Sequence, residues 1–159
     1  MEKQHALQQL EQLQKKLYAI HYACSAMNLD ADTVAPKNTS EGRGVALGVL
    51  AGEEQQLMIC PETRALLDEL DRQKDELDLL HRREVEELRR RCDQLTRIPA
   101  EEYIAYSELV NKAGDVWHKA KEKDDFAMFC PLLQELVEYN RKFAAYYDST
   151  RAPYDALLN

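Results

Sequence analysis

The chain has 159 residues, of which 45% are hydrophobic and 31% charged, enough for one domain with a buried core. Its 29 acidic and 21 basic residues give a net charge of −8, which argues against nucleic acid or an anionic lipid surface as the main partner. No apolar run approaches the ~20 residues of a membrane span, and the amino terminus has no apolar core of a secretory signal.

Five glycines and five prolines are few, which favours long helices over a turn-rich sandwich. Cys24, Cys60, Cys92 and Cys130 are widely spaced and include no CxxC pair, so the expectation is four reduced cysteines in a cytoplasmic protein.

The first helix is predicted from about Glu2 to Met27. Leu7, Leu10, Leu13, Leu17, Ile20 and Met27 form one apolar stripe at steps of three and four, the pattern of a helix packed lengthwise on a neighbour. Asn28 to Asn38, rich in Asp and Asn and containing Pro36, reads as a loop. Thr39 or Ser40 can cap a second helix that runs to about Met58. Gly44, Gly48 and Gly52 recur every four residues within it, on one face. Each costs about 1 kcal/mol against Ala, and a close helix–helix approach accounts for that. Phosphate binding does not, since no strand precedes the glycines and the P-loop spacing is absent.

Pro61 suits the first turn of a third helix with Leu66, Leu67 and Leu70 inward, and the polar stretch Arg72–Leu77 interrupts the chain. A fourth helix spans about Asp78–Thr96 and turns Leu80, Val85, Leu88, Cys92 and Leu95 to the core. Arg89, Arg90 and Arg91 spread around it among Glu84, Glu86, Glu87 and Asp93, which reads as a solvated, ion-paired face rather than an anion site. Pro99 opens a fifth helix with Tyr106, Val110, Ala113, Trp117 and Ala120 on one face. Asp124 or Asp125 caps a short turn to Phe129, and Pro131 begins a sixth helix that breaks between Asp148 and Pro153. No segment alternates as a strand. The expected fold is a single all-α domain over 1–159, a bundle of about six amphipathic helices with no sheet.

Four pieces of this pattern occur in a recognisable order. They are Ile98-Pro99-Ala100-Glu101, a helix bearing Trp117, Asp125-Phe126-x-x-Phe129-x-Pro131, and Tyr154-Asp155-Ala156-Leu157-Leu158. Upstream, Asp30-x-x-Thr33-x-x-Pro36 and Arg43 fall at matching spacing, with Leu29 where the pattern has Trp and Lys37-Asn38-Thr39 where it has a Gly-rich turn. The order resembles the amino-terminal region of the thermostable metallocarboxypeptidases of the carboxypeptidase Taq type. The resemblance implies a parent enzyme that removes carboxy-terminal residues from peptides through metal-activated water, with zinc or another divalent ion as cofactor. It also implies homodimers, and amino-terminal helices that cover or wall the active-site groove. The end at Leu158-Asn159, partway through such a motif, raises the expectation of a chain that continues in its parent, whose remainder would be its partner.

The residues themselves offer little chemistry. A zinc peptidase of this kind needs two His one helical turn apart with a Glu beside the first. His5, His21, His81 and His118 are each followed by something other than Glu, and no two are three or four residues apart. Ser25, Ser40, Ser107 and Ser149 lack the Gly-x-Ser-x-Gly elbow. Cys24 lies one turn from His21, but in an amphipathic helix where packing is the simpler reading. Loop capping explains Asp30 and Asp32, and core packing explains Trp117, Tyr106 and the aromatics of Tyr139–Tyr147. The sequence therefore assigns this chain no catalytic, cofactor-binding or metal residue. The alternative to a carboxypeptidase part is a stand-alone, non-catalytic helical interaction module that works through its leucine stripe. Either reading exposes apolar surface, so self-association is expected.

Overall fold

The computed structural model describes residues 3–36 and 38–158, and Glu2 and Lys37 lie outside the described residues. Among the described residues seven α-helices follow one another, α1 (Lys3–Thr33), α2 (Ser40–Ile59), α3 (Pro61–Arg72), α4 (Leu79–Arg97), α5 (Ala100–Glu122), α6 (Phe126–Tyr147) and α7 (Pro153–Leu158), with a 3₁₀ turn at Lys74–Glu76. Among the described residues there is no strand. The all-α bundle is as expected, with one helix more than the sequence suggested.

Two apolar clusters organise it. In the larger, Leu10, Leu13 and Leu17 of α1 meet Met58 of α2, Leu66, Leu67 and Leu70 of α3, Leu77, and Val85, Cys92 and Leu95 of α4. Leu10, Met58, Leu67, Leu70 and Val85 are almost wholly buried, and burial of each such side chain contributes about 1.5–3 kcal/mol. In the smaller, Leu109 and Ala113 of α5 pack on Leu132 of α6, and Tyr106, Tyr139 and Phe143 make edge and tilted ring contacts beside it.

The glycine face of α2 joins the two clusters. A Cβ built at Gly44, Gly48 or Gly52 would stand 3.0, 2.8 or 3.0 Å from Asn111, Glu108 and Ile104 of α5. The close approach expected from the four-residue spacing is present, and it fixes the rotation of α5. With Ile104, Glu108 and Asn111 turned to α2, the side packed on α6 is Leu109, Ala113 and Val116. Val110 and Trp117, expected inward, are instead exposed.

Other boundaries moved for local reasons. The helix α1 runs six residues past Met27, through the segment read as a loop. Thr33 Oγ1 donates back to the Leu29 carbonyl at 2.6 Å, and the amides of Val34 and Ala35 donate to the Asp30 carbonyl before Pro36 ends the run. Thr39 occupies the cap position of α2, but its hydroxyl donates to the Pro36 carbonyl and caps nothing. Asp78 does cap α4, where it accepts from the His81 amide at 3.0 Å, and this holds its carboxyl below the usual range. Leu80, two residues after that cap, is exposed. Asp125 accepts from the Met128 amide, so α6 begins at Phe126 and runs through Pro131. Pro131 is the sixth residue of α6 and lies inside the helix, where it forgoes the amide bond to the Ala127 carbonyl without ending the run, and no separate turn forms.

Candidate functional site

A cleft of about 550 Å³ separates the second half of α1 from α2 and α5. It exists because α1 outlasts its core contacts. Its last buried residue is Leu17, and everything from Tyr18 to Thr33 is exposed or half-buried. Cys24, Asn28 and Asp32 line the cleft from α1, Arg43, Leu47 and Glu54 from α2, and Tyr103, Ser107 and His118 from α5.

At the deep end lies Glu54, one of few buried polar side chains, 7% exposed. Its Oε1 accepts from Arg91 of α4 and lies 3.0 Å from His21 Nε2 of α1. Arg91 Nη2 is also 3.4 Å from that imidazole nitrogen. Burial and the Glu54 charge push the Tyr103 hydroxyl and the Cys24 thiol above their ordinary values. Three helices therefore meet at one buried carboxylate, and its hydrogen bond from Arg91 is charge-assisted. At the mid-wall, Arg43 donates to Asn111 Oδ1 and Asp115 Oδ1, both at 2.8 Å, while Asn111 Nδ2 donates to the Ser40 carbonyl at 3.0 Å. At the mouth, His118 Nε2 of α5 faces Asp32 Oδ1 of α1 at 3.4 Å.

Among the described residues the lining pairs no activated nucleophile with a base. The raised Cys24 thiol is a poor thiolate source. The Ser107 hydroxyl has only a long, 3.5 Å contact to the Leu47 carbonyl, and no base addresses it. Among the described residues no three His, Cys, Asp or Glu side chains converge as a metal site. His21, His81 and His118 each face a carboxylate from a separate place. This donor set does not fit a catalytic zinc.

Most residues singled out in the sequence stay apart. Asp32 meets His118, whereas Asp30 uses its backbone carbonyl to end α1. Trp117 stands at the surface against His118 with Lys121 over its ring, away from the Tyr106–Tyr139–Phe143 cluster. Arg89 and Arg90 pair with exposed Asp68 and Glu87 as expected of a solvated face. Arg91 does not, because it serves buried Glu54. Sequence reasoning missed Glu54, although a signal was present. Leu47, Ala51, Glu54 and Met58 step by four, three and four along the buried side of α2, so a charge stood on an apolar stripe.

Comparison with known proteins places this arrangement. The family described as Carboxypeptidase Taq (M32) metallopeptidase matches residues 9–159. Carboxypeptidase 1 of Bacillus subtilis is 36% identical over 141 residues, 87% of this chain and 28% of the relative. Thermostable carboxypeptidase 1 of Pyrococcus furiosus is 30% identical over 145 residues, 91% of this chain and 29% of the relative. Among solved structures, the BsuCP crystal structure superimposes with a TM-score of 0.91 at 32% identity, over 97% of this chain and 31% of that one. Trypanosoma cruzi metallocarboxypeptidase 1 does so with a TM-score of 0.72 at 30% identity, again over 97% and 31%. The chain spans less than a third of the length of these relatives.

Proposed function

Because the chain belongs to the carboxypeptidase Taq metallopeptidase family, we propose that it acts as the amino-terminal helical layer of a metal-dependent carboxypeptidase, an enzyme that removes residues from the carboxyl end of peptides. In this reading the helices cover or wall the substrate groove and supply no catalytic residue. The divalent metal, zinc by family analogy, is held by the remainder of the fold, which is the chain's first partner. The observation that carries the reading is the family match over residues 9–159, set against coverage of under a third of each relative.

The helical layer offers a physical basis. Tyr18, Tyr22 and Leu29 lie along the outer side of α1, opposite the Leu10–Leu17 stripe, and each is about two-thirds exposed. A helix apolar on two sides lies between two layers. No described helix is long and apolar enough to cross a membrane.

Calorimetric titration of the 159-residue chain with zinc, alongside an assay for release of carboxy-terminal residues from peptides, tests the division of labour. The proposal expects neither stoichiometric zinc binding nor turnover. Tight zinc binding with turnover by this chain alone would overturn it.

The exposed stripe of α1 also suits the second reading, a helical module that binds a separate partner helix. The two readings part on whether the chain recognises the catalytic remainder of a relative.

A further inference from the structure

Among the described residues that line the cleft between α1, α2 and α5, Arg43 is the only arginine or lysine. Its side chain is 11% exposed and is held in place by α5, with Nε donating to Asn111 and Nη2 to Asp115. A guanidinium carries five N–H groups, so these two bonds leave three unused. No nitrogen of Arg43 is both buried and unpartnered, so the unused donors open on the space that Arg43 lines. A guanidinium already fixed in this way loses little freedom when it takes one more acceptor. We propose that the cleft holds an internal stretch of extended peptide, with Arg43 donating to one of its main-chain carbonyls.

The rest of the lining selects the ligand. At about 550 Å³ the cleft is of the size that ligand sites have. Arg91 offsets Glu54 and Asp115 offsets Arg43, which leaves the Asp32 carboxylate at the mouth. With histidine counted neutral the lining is therefore acidic, which disfavours a free anion such as phosphate and equally a peptide's own terminal carboxylate. Among the described residues no three His, Cys, Asp or Glu side chains converge to take a metal ion. What fits is a ligand with both donors and acceptors. The side-chain amide of Asn28, exposed on the α1 wall, offers both and has no partner among the described residues. The Ser107 hydroxyl on the α5 wall has only its 3.5 Å contact to the Leu47 carbonyl. Leu47, Ala51 and Val110 place apolar surface between these groups. A peptide main chain alternates N–H and C=O and carries side chains that seek apolar contact, so it matches this interleaving.

The proposal deepens the carboxypeptidase reading and rests on it for the choice of a peptide over another amide. In that reading these helices wall a groove, and the cleft holds residues upstream of the one released.

Nuclear magnetic resonance of the nitrogen-labelled 159-residue chain tests it. The probe is a short peptide of alternating glycine and alanine, acetylated and amidated so that it carries no charge. Saturable shifts confined to the amides of cleft residues, Asn28, Arg43, Ser107 and Asn111 among them, are expected at millimolar peptide. Arg43→Lys keeps the charge but loses the fork, and is expected to weaken binding about tenfold. Arg43 also ties α2 to α5. Asn28→Ala, at an exposed and unpartnered position, leaves that packing alone and is expected to weaken binding about threefold. The same peptide with a free carboxyl end is expected to bind no tighter. Absence of shifts in the cleft, binding indifferent to both variants, or binding of the free acid alone would overturn the proposal. No catalytic partner is present, so failure here leaves the carboxypeptidase reading standing. A chain that binds the peptide but no catalytic remainder sinks that reading alone.

Discussion

The glycine seam between α2 and α5 makes the sharpest test of the packing, because alanine at three positions should act in different directions. Replacing glycine by alanine in a helix interior contributes about 1 kcal/mol when nothing opposes it. Gly114 of α5 has no atom within 4 Å of a built Cβ, so Gly114→Ala should stabilise by about that amount. At Gly48 the new methyl meets Glu108, 2.8 Å from Oε1 and 3.0 Å from Cγ. Glu108 is exposed and its flexible side chain can rotate away, so Gly48→Ala should lie between neutral and about 1 kcal/mol stabilising. Gly44 differs, because its methyl stands 3.0 Å from Asn111 Nδ2. That amide cannot yield freely, since it donates to the Ser40 carbonyl and accepts from Arg43. Displacing it costs one neutral and one charge-assisted hydrogen bond, about 2–4 kcal/mol together, against about 1 gained. Gly44→Ala should therefore destabilise by about 1–3 kcal/mol. Urea titration by circular dichroism resolves this, since 1 kcal/mol moves the midpoint by roughly 0.5 M. If Gly44→Ala proves as stable as Gly114→Ala, the helices do not approach as described.

Further outcomes follow from the same structure. Leu70→Ala, at a wholly buried position, should cost about 2–5 kcal/mol in thermal unfolding, and a cost under 1 would deny the four-helix core. Arg91→Ala should cost about 1–3 kcal/mol, because it strands buried Glu54, though Arg91 is itself 40% exposed. Arg90→Ala, whose partner Glu87 is exposed, should change little, and equal effects would deny that Glu54 is special. Burial raises the Cys24 and Cys92 thiols, so the folded chain holds those protons longer than the unfolded one. Stability should then be full below about pH 8.5 and decline above it, and alkylation should reach exposed Cys130 first. A decline that persists when Cys24 and Cys92 are replaced by Ala would assign it elsewhere. Sedimentation should show a dimer or larger species held by the exposed apolar faces, and a clean monomer at high concentration would count against that.

What was legible in the sequence was whatever depends on near neighbours. The leucine steps of α1, Pro61 at the start of α3 and the Asp125 cap act within a turn or two, and each is where it was expected. The four-residue glycine spacing carried one tertiary fact, the close approach of a second helix, without naming α5. Rotation about a helix axis was not legible. Val110 and Trp117 share a face with Ala113 by spacing, but α2 and α6 pack on opposite sides of α5 and leave both residues outside. Nor was the cleft, because Glu54, Arg91 and His21 come from three helices and meet only when the bundle forms. Local composition misled twice. The Asp- and Asn-rich end of α1 reads as loop until Thr33 and Asp30 close it as helix, and Pro131 reads as a helix start until the Asp125 cap moves that start upstream.

The central claim is that this chain is the helical layer of a carboxypeptidase, and the most direct test is complementation. The Bacillus subtilis relative, shortened by the 28% that this chain matches, would be mixed with the chain and zinc, and release of carboxy-terminal residues measured. The account predicts that the two pieces co-elute and that the chain raises turnover well above that of the shortened enzyme alone. A shortened enzyme that neither binds the chain nor gains activity, while its own amino-terminal piece restores it, would contradict the account.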